Sequence, residues 1–134
     1  MTEVRLFLAD RRGGWSELTD GDQRTVRVAA SDLQQARRAR TRIRARGEDV
    51  AVILDITVAV AGDFRSARHV LGPADHTVHY AGTVDGLAGL ISDIASADVA
   101  DGVTLIPASP RQDLRILGHD VLDRLASRDQ PRAS

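Results

Sequence analysis

Asp10, Ser31, Asp55 and Ser109 are the residues whose types and positions suggest a site. Each lies at or near the C-terminal end of a stretch that reads as a β-strand. In parallel sheets and barrels that edge hosts ligands, which makes these four the candidate cofactor-binding rim positions. Capping and turn formation account for Ser31 and Ser109 equally well. No acid–base pair or nucleophile with telling spacing accompanies them, so no catalytic residue is assigned.

Several chemistries are excluded by residue type. The 134-residue chain has no cysteine, which removes disulfides, zinc–thiolate sites and cysteine nucleophiles. All 18 basic residues are arginine, so neither a Schiff-base lysine nor a Walker lysine exists. The nucleophile elbow G-x-S-x-G, the dinucleotide fingerprint G-x-G-x-x-G and the P-loop are all absent. His76 and His79 form H-x-x-H. On a strand, residues three apart point to opposite faces, so this pair suits one metal poorly and no metal site is expected.

The stretch "QQARRARTRIRARG" carries Arg37, Arg38, Arg40, Arg42, Arg44 and Arg46 on one helix. Such a stripe suits phosphates. A net charge of −1 and only 3% aromatic residues favour a solvated face instead, and no nucleic-acid partner is expected. No apolar run approaches the roughly 18 residues of a membrane helix, and the N-terminus "MTEVRLFLAD" lacks the apolar core of a signal peptide. The expectation is a cytoplasmic protein with no membrane partner.

The elements that must position the four rim residues follow from hydrophobic pattern. "VRLFLA" (4–9) and "TVRVAA" (25–30) read as strands, with "DRRGGWSELTDGDQR" between them as loop. Ser31 and Gln34 form a capping box for a helix ending near Arg46, with Gly47 as its stop. "VAVILDITVAVA" (50–61) is apolar almost throughout, the mark of a strand covered on both faces, with Asp55 as an end or a bulge. A short helix from Asp63 to about Leu71 and a weak strand over 76–81 come next. Thr83 caps a helix over about 84–97, "GVTLIP" is a strand, and Ser109, Pro110 and Gln112 open a final helix. Alternation of strand and helix predicts an α/β fold with a mainly parallel sheet of about five strands. Residues 1–127 form one domain, and 128–134 read as a flexible polar tail.

Two stretches carry a resemblance. "HYAGTVDGLAGLISDIASADVADGVTLIPASPRQDLRILGHDVLDRLAS" is similar to the C-terminal end of luciferase-like, flavin-dependent monooxygenases, through Gly82-Thr83, Asp101-Gly102, Leu105, Pro107 and Asp113-Leu114. "VRVAASDLQQARRARTRIRARGEDVAVILDITVAVAGDFRSARHVL" resembles the family's preceding strand–helix–strand–helix segment, in the nitrilotriacetate monooxygenase branch. Val84 stands where the family has proline, and Val103 where it has an aromatic residue.

The resemblance spans about residues 25–127 and implies the C-terminal half of a TIM barrel, approximately strands six to eight. The family's N-terminal half and its phosphate-holding Gly-x-Ser-x-x-Gly segment have no counterpart in the sequence. A full barrel takes about 250 residues, so half of one leaves an open edge. The resemblance therefore implies a truncated oxidoreductase or monooxygenase domain. Its FMN or deazaflavin site would be incomplete unless a homo-oligomer or a flavoprotein partner subunit completes it. The alternative is a non-catalytic binding or protein-interaction module on a half-barrel scaffold.

Overall fold

Ten consecutive residues, Ala51–Val60, set the architecture, because all but the last are buried. A strand covered on both faces needs neighbours on both edges and layers above and below. In the computed structural model, which describes residues 4–10, 12, 14–47, 49–60, 77–109 and 112–129, it has them. The described strands are β1 (Arg5–Ala9), β2 (Trp15–Glu17), β3 (Thr25–Val28), β4 (Ala51–Val60), β5 (Val78–Gly82) and β6 (Gly102–Pro107). The described helices are α1 (Leu33–Ala45), α2 (Val84–Ser96) and α3 (Leu114–Asp129).

The sheet runs β2-β1-β6-β4-β3, with β5 also on β4. β1, β3, β4, β5 and β6 are parallel, and β2 alone is antiparallel. One edge of β4 is shared: β3 pairs with residues 51–54 and β5 with 56–60, while β6 takes the other edge over 53–58. The first strand thus lies beside the last, as at the seam of a closed barrel. The α/β expectation holds: a mainly parallel sheet curls into a half-barrel with helices on its outer face.

Period-two alternation divides the sheet into two faces. Leu6, Leu8, Leu54, Ile56, Val58, Val103 and Leu105 face the helices and pack with Ala36 of α1, Leu87, Ile91 and Ile94 of α2, and Leu117 and Val121 of α3. At about 25 cal/mol per Å² of apolar surface removed from water, this layer is the main stabilising term. Phe7, Ala51 and Ile53 form a separate cluster on the inner face.

Local signals explain the helix ends, with two shifts from expectation. Asp32, not Ser31, caps α1, accepting from the Gln35 amide at 2.8 Å. Gln35 reaches back to the Ser31 amide at 3.3 Å. Gly47, at φ 75°, ends the helix as predicted, in the left-handed region that glycine tolerates. Thr83 caps α2 as expected, accepting from the Gly86 amide. α3 starts later than expected: Asp113 accepts from the Ile116 amide at 3.1 Å and opens it, not Ser109. Gln112 instead accepts from the Val60 amide at 3.0 Å, satisfying the end of β4. The expected helix over 63–71 and His76 lie outside the described residues.

Candidate functional site on the inner face

Strand register lines up two rows of side chains on the face turned away from the helices. Glu17, Phe7, Thr104 and Asp55 are consecutive partners across β2, β1, β6 and β4. Arg5, Gly102, Ile53 and Arg27 form the neighbouring row. Each row has charge at its ends, and the charges pair diagonally. Arg5 meets Glu17 at 2.6 Å, and Arg27 Nε donates to Asp55 Oδ1 at 2.8 Å.

Trp15 closes over these rows. Its ring stacks on Phe7 with centroids 4.4 Å apart and planes 10° from parallel. Its Nε1–H donates to Thr104 Oγ1 at 2.9 Å. The Arg27 guanidinium lies 5.6 Å from the Trp15 ring centroid, and that of Arg5 lies 5.4 Å from Phe7. Stacking and cation–π contacts of this kind each contribute about 0.5–1.5 kcal/mol. Phe7 is buried beneath an indole that itself remains 37% exposed. The hydroxyls of Thr57 and Thr77 are 2.6 Å apart.

Charge is fixed by these pairings. Hydrogen bonding from Arg5 holds the Glu17 carboxyl below its ordinary value against the opposing effect of burial. The same bond raises the Arg5 guanidinium.

The four rim residues are not assembled into one site. Asp10 accepts from the Arg12 and Gly14 amides at 2.9 and 2.8 Å and holds the β1–β2 turn. Ser31 precedes the α1 cap and donates its amide to Gln35. Ser109 accepts the Gln112 amide on its carbonyl at 3.2 Å. Asp55 is neither a strand end nor a bulge: it lies mid-strand, 7% exposed, paired with Arg27. Sequence reasoning missed Trp15, Arg27 and Thr104. The available signals were the single tryptophan, placed in a polar loop, and a threonine inside an otherwise apolar strand.

A second charged cluster lies at the opposite, N-terminal end of the strands. Asp101 accepts from Arg40 at 3.0 Å, from Arg44 at 3.1 Å and from the Val52 amide at 2.8 Å. Burial pushes its carboxyl up, but the Arg40 and Val52 hydrogen bonds and the two guanidinium charges outweigh it, leaving it below the ordinary value. Two of the five α1 arginines therefore anchor the helix to the sheet. Gly102 next to Asp101 is obligatory in kind: a Cβ there would run into the Arg5 carbonyl oxygen.

No family model matches the sequence, and no curated protein matches it. Among solved structures, the EDTA monooxygenase of Chelativorans sp. BNC1 is similar, with a TM-score of 0.57 and 16% identity over 78% of this chain and 40% of that one. The likeness is one of fold. The chain shares part of that monooxygenase's fold, and it spans less than half the length of that enzyme.

The resemblance in the sequence implies a flavin cofactor. An isoalloxazine ring needs an open apolar platform and unused donors and acceptors. Here Trp15 covers Phe7, while Arg27, Asp55, Thr57 and Thr104 already pair with one another, with Thr77 or with Trp15. The residues present do not fit the ring on this face. Among the described residues, no group of three His, Asp or Glu side chains is placed to hold a metal ion, and no helix is long and apolar enough to cross a membrane.

Proposed function

We propose that this chain is a non-catalytic binding module that keeps a luciferase-like half-barrel as scaffold. The observation that carries this reading is the Trp15–Phe7 stack over the inner face, locked by Thr104 and Arg27. A surface whose polar groups satisfy one another has none left to act on a substrate. The test is titration of the purified chain with FMN and, separately, with a deazaflavin, following cofactor fluorescence. The expected result is no quenching in any oligomeric state. Quenching that saturates at one cofactor per chain contradicts the reading.

A second reading is favoured by the fold likeness to a flavin-dependent enzyme and by the buried polar residues Asp55, Thr57 and Thr104 on the inner face. In it, a second copy or a flavoprotein partner subunit displaces Trp15 and completes an FMN or deazaflavin site for a monooxygenase or oxidoreductase. A solution mass above that of the monomer, together with flavin absorbance in the same species, supports this reading. A colourless monomer removes it.

A further inference from the structure

Two helices of this chain present unpaired charge of opposite sign to solvent. Between Asp32 and Glu48 the sequence has six arginines and no acidic residue. Arg40 and Arg44 turn inward to Asp101. Arg37, Arg38, Arg42 and Arg46 are exposed, and their side chains make no hydrogen bond or ion pair among the described residues. Arg38, Arg42 and Arg46 recur at every fourth position and so share one ridge of α1. Cavities flank Arg38 and Arg42 on both sides of that ridge. One, of about 550 Å³, is lined by Gln34, Arg37 and Thr41 besides these two. The other, of about 300 Å³, reaches Ala29, Ala30 and Ala39.

α3 carries the counterpart. Asp113, Ile116, Asp120, Asp123 and Ser127 are spaced by three and four residues, so they fall on one stripe. All five are exposed, on the side opposite the buried Leu117 and Val121. The Asp120 and Asp123 carboxylates have no partner among the described residues. Ile116 lies between Asp113 and Asp120 and is 67% exposed, the most exposed large apolar side chain described. A single exposed isoleucine needs no explanation. What points to a partner is its place in an acidic stripe, in a chain that also exposes a matching basic ridge.

The dimensions agree. At 1.5 Å per residue, Asp113 to Asp123 spans about 15 Å and Arg38 to Arg46 about 12 Å. Both fit within one contact between helices whose axes lie about 10 Å apart. Within one chain the two stripes cannot meet, because each points away from the core that its own helix covers.

We propose that the acidic stripe of α3 docks on the arginine ridge of α1 in a second copy of this chain. Asp120 and Asp123 accept from Arg38 and Arg42 of that copy. Ile116 lies in the larger cavity, against Thr41 and the methylene stems of the arginines. The two patches differ, so the contact is heterologous and adds copies in rings or chains. A nucleic acid is the rival occupant of the ridge. The net charge of −1 and the isoleucine within the complementary stripe favour the second copy. The contact uses the outer helices and leaves Trp15 alone, so it stands or falls apart from the module reading.

The test is the solution mass of the full chain, by analytical ultracentrifugation from micromolar to millimolar concentration at low salt. The wild type is expected to associate, and added salt to dissociate it, because exposed charges are screened. Arg38→Glu with Arg42→Glu, or Asp120→Arg with Asp123→Arg, is expected to weaken association about tenfold or more. A chain carrying all four reversals is expected to recover it. All four sites are exposed, so the thermal transition and Trp15 emission are expected to stay as in the wild type. A monomer throughout at low salt, association unchanged by either reversal, or no recovery in the combined chain overturns the proposal. So does a wild-type chain that binds duplex DNA through the ridge and stays monomeric.

Discussion

Asp101 and Asp55 are two carboxylates beside the same strand, and they do different work. Asp101 gathers Arg40, Arg44 and the Val52 amide, tying α1 to β4 at the N-terminal end of the sheet. Asp55 takes one hydrogen bond from Arg27 and steadies a guanidinium beneath an indole. The first unites three elements through a charge whose loss strands its partners. The second belongs to a cover that has few contacts and one exposed side. The N-terminal end of this half-barrel is therefore structural cement, and the inner face is a closure added by the β1–β2 hairpin.

The largest effect expected from that contrast is at Asp101. Asp101→Ala leaves two guanidinium groups and an amide without their acceptor, and is expected to cost about 2–3 kcal/mol, at or below the low end for a fully buried pair because the cluster is partly exposed. Chemical denaturation measures it. A loss no greater than that of Asp55→Asn removes the distinction between the two ends.

Acid provides a second test. The Asp101 carboxyl is lowered from 3.8 and that of Glu17 from 4.5 in the folded chain, so the unfolded chain binds protons more readily. Their contribution is fully present above those unfolded values and is lost as pH falls through the lower folded ones. Thermal transitions are expected to fall steeply below these values in the wild type and less steeply in Asp101→Asn. An equal acid slope in the two chains contradicts the assignment.

Removing the cover is the intermediate case. Trp15→Ala abolishes the ring stack and the bond to Thr104, and is expected to cost about 2 kcal/mol, below the 3–5 typical of a fully buried Trp, because the indole is partly exposed. The smallest effect has the opposite sign. Asp98→Gly relieves a left-handed aspartate and is expected to raise stability by about 0.5–1 kcal/mol. A destabilised Asp98→Gly chain shows that the carboxylate has a structural partner.

Much of the fold was legible in sequence, for physical reasons tied to particular residues. The nearly continuous apolar run 51–60 demands burial on both faces, and Thr83 and Gly47 are local signals whose geometry needs no tertiary context. The α1 cap shifted by one because "SDLQQ" contains two overlapping boxes, Ser31 with Gln34 and Asp32 with Gln35, and pattern alone ranks them equally. β2 escaped notice because three residues in a Gly- and Asp-rich loop become a strand only by pairing with β1. The site was the least legible part. Asp55 looks like an interruption until register places Arg27 diagonally across from it, and nothing local joins Trp15 to Thr104, 89 residues away. Nearness to a strand end is all that marks the rim residues in sequence, and Asp10, Ser31 and Ser109 each serve their own turn or helix start.

Trp15 closes the inner face over Phe7 and Thr104. Trp15 is the single tryptophan, so its emission and its quenching by acrylamide report that face alone. The measurement is a titration with FMN while both are recorded. The account predicts a partly protected indole whose emission and quenching do not change as FMN is added. Displacement of Trp15 by micromolar FMN, seen as red-shifted emission and easier quenching, contradicts it.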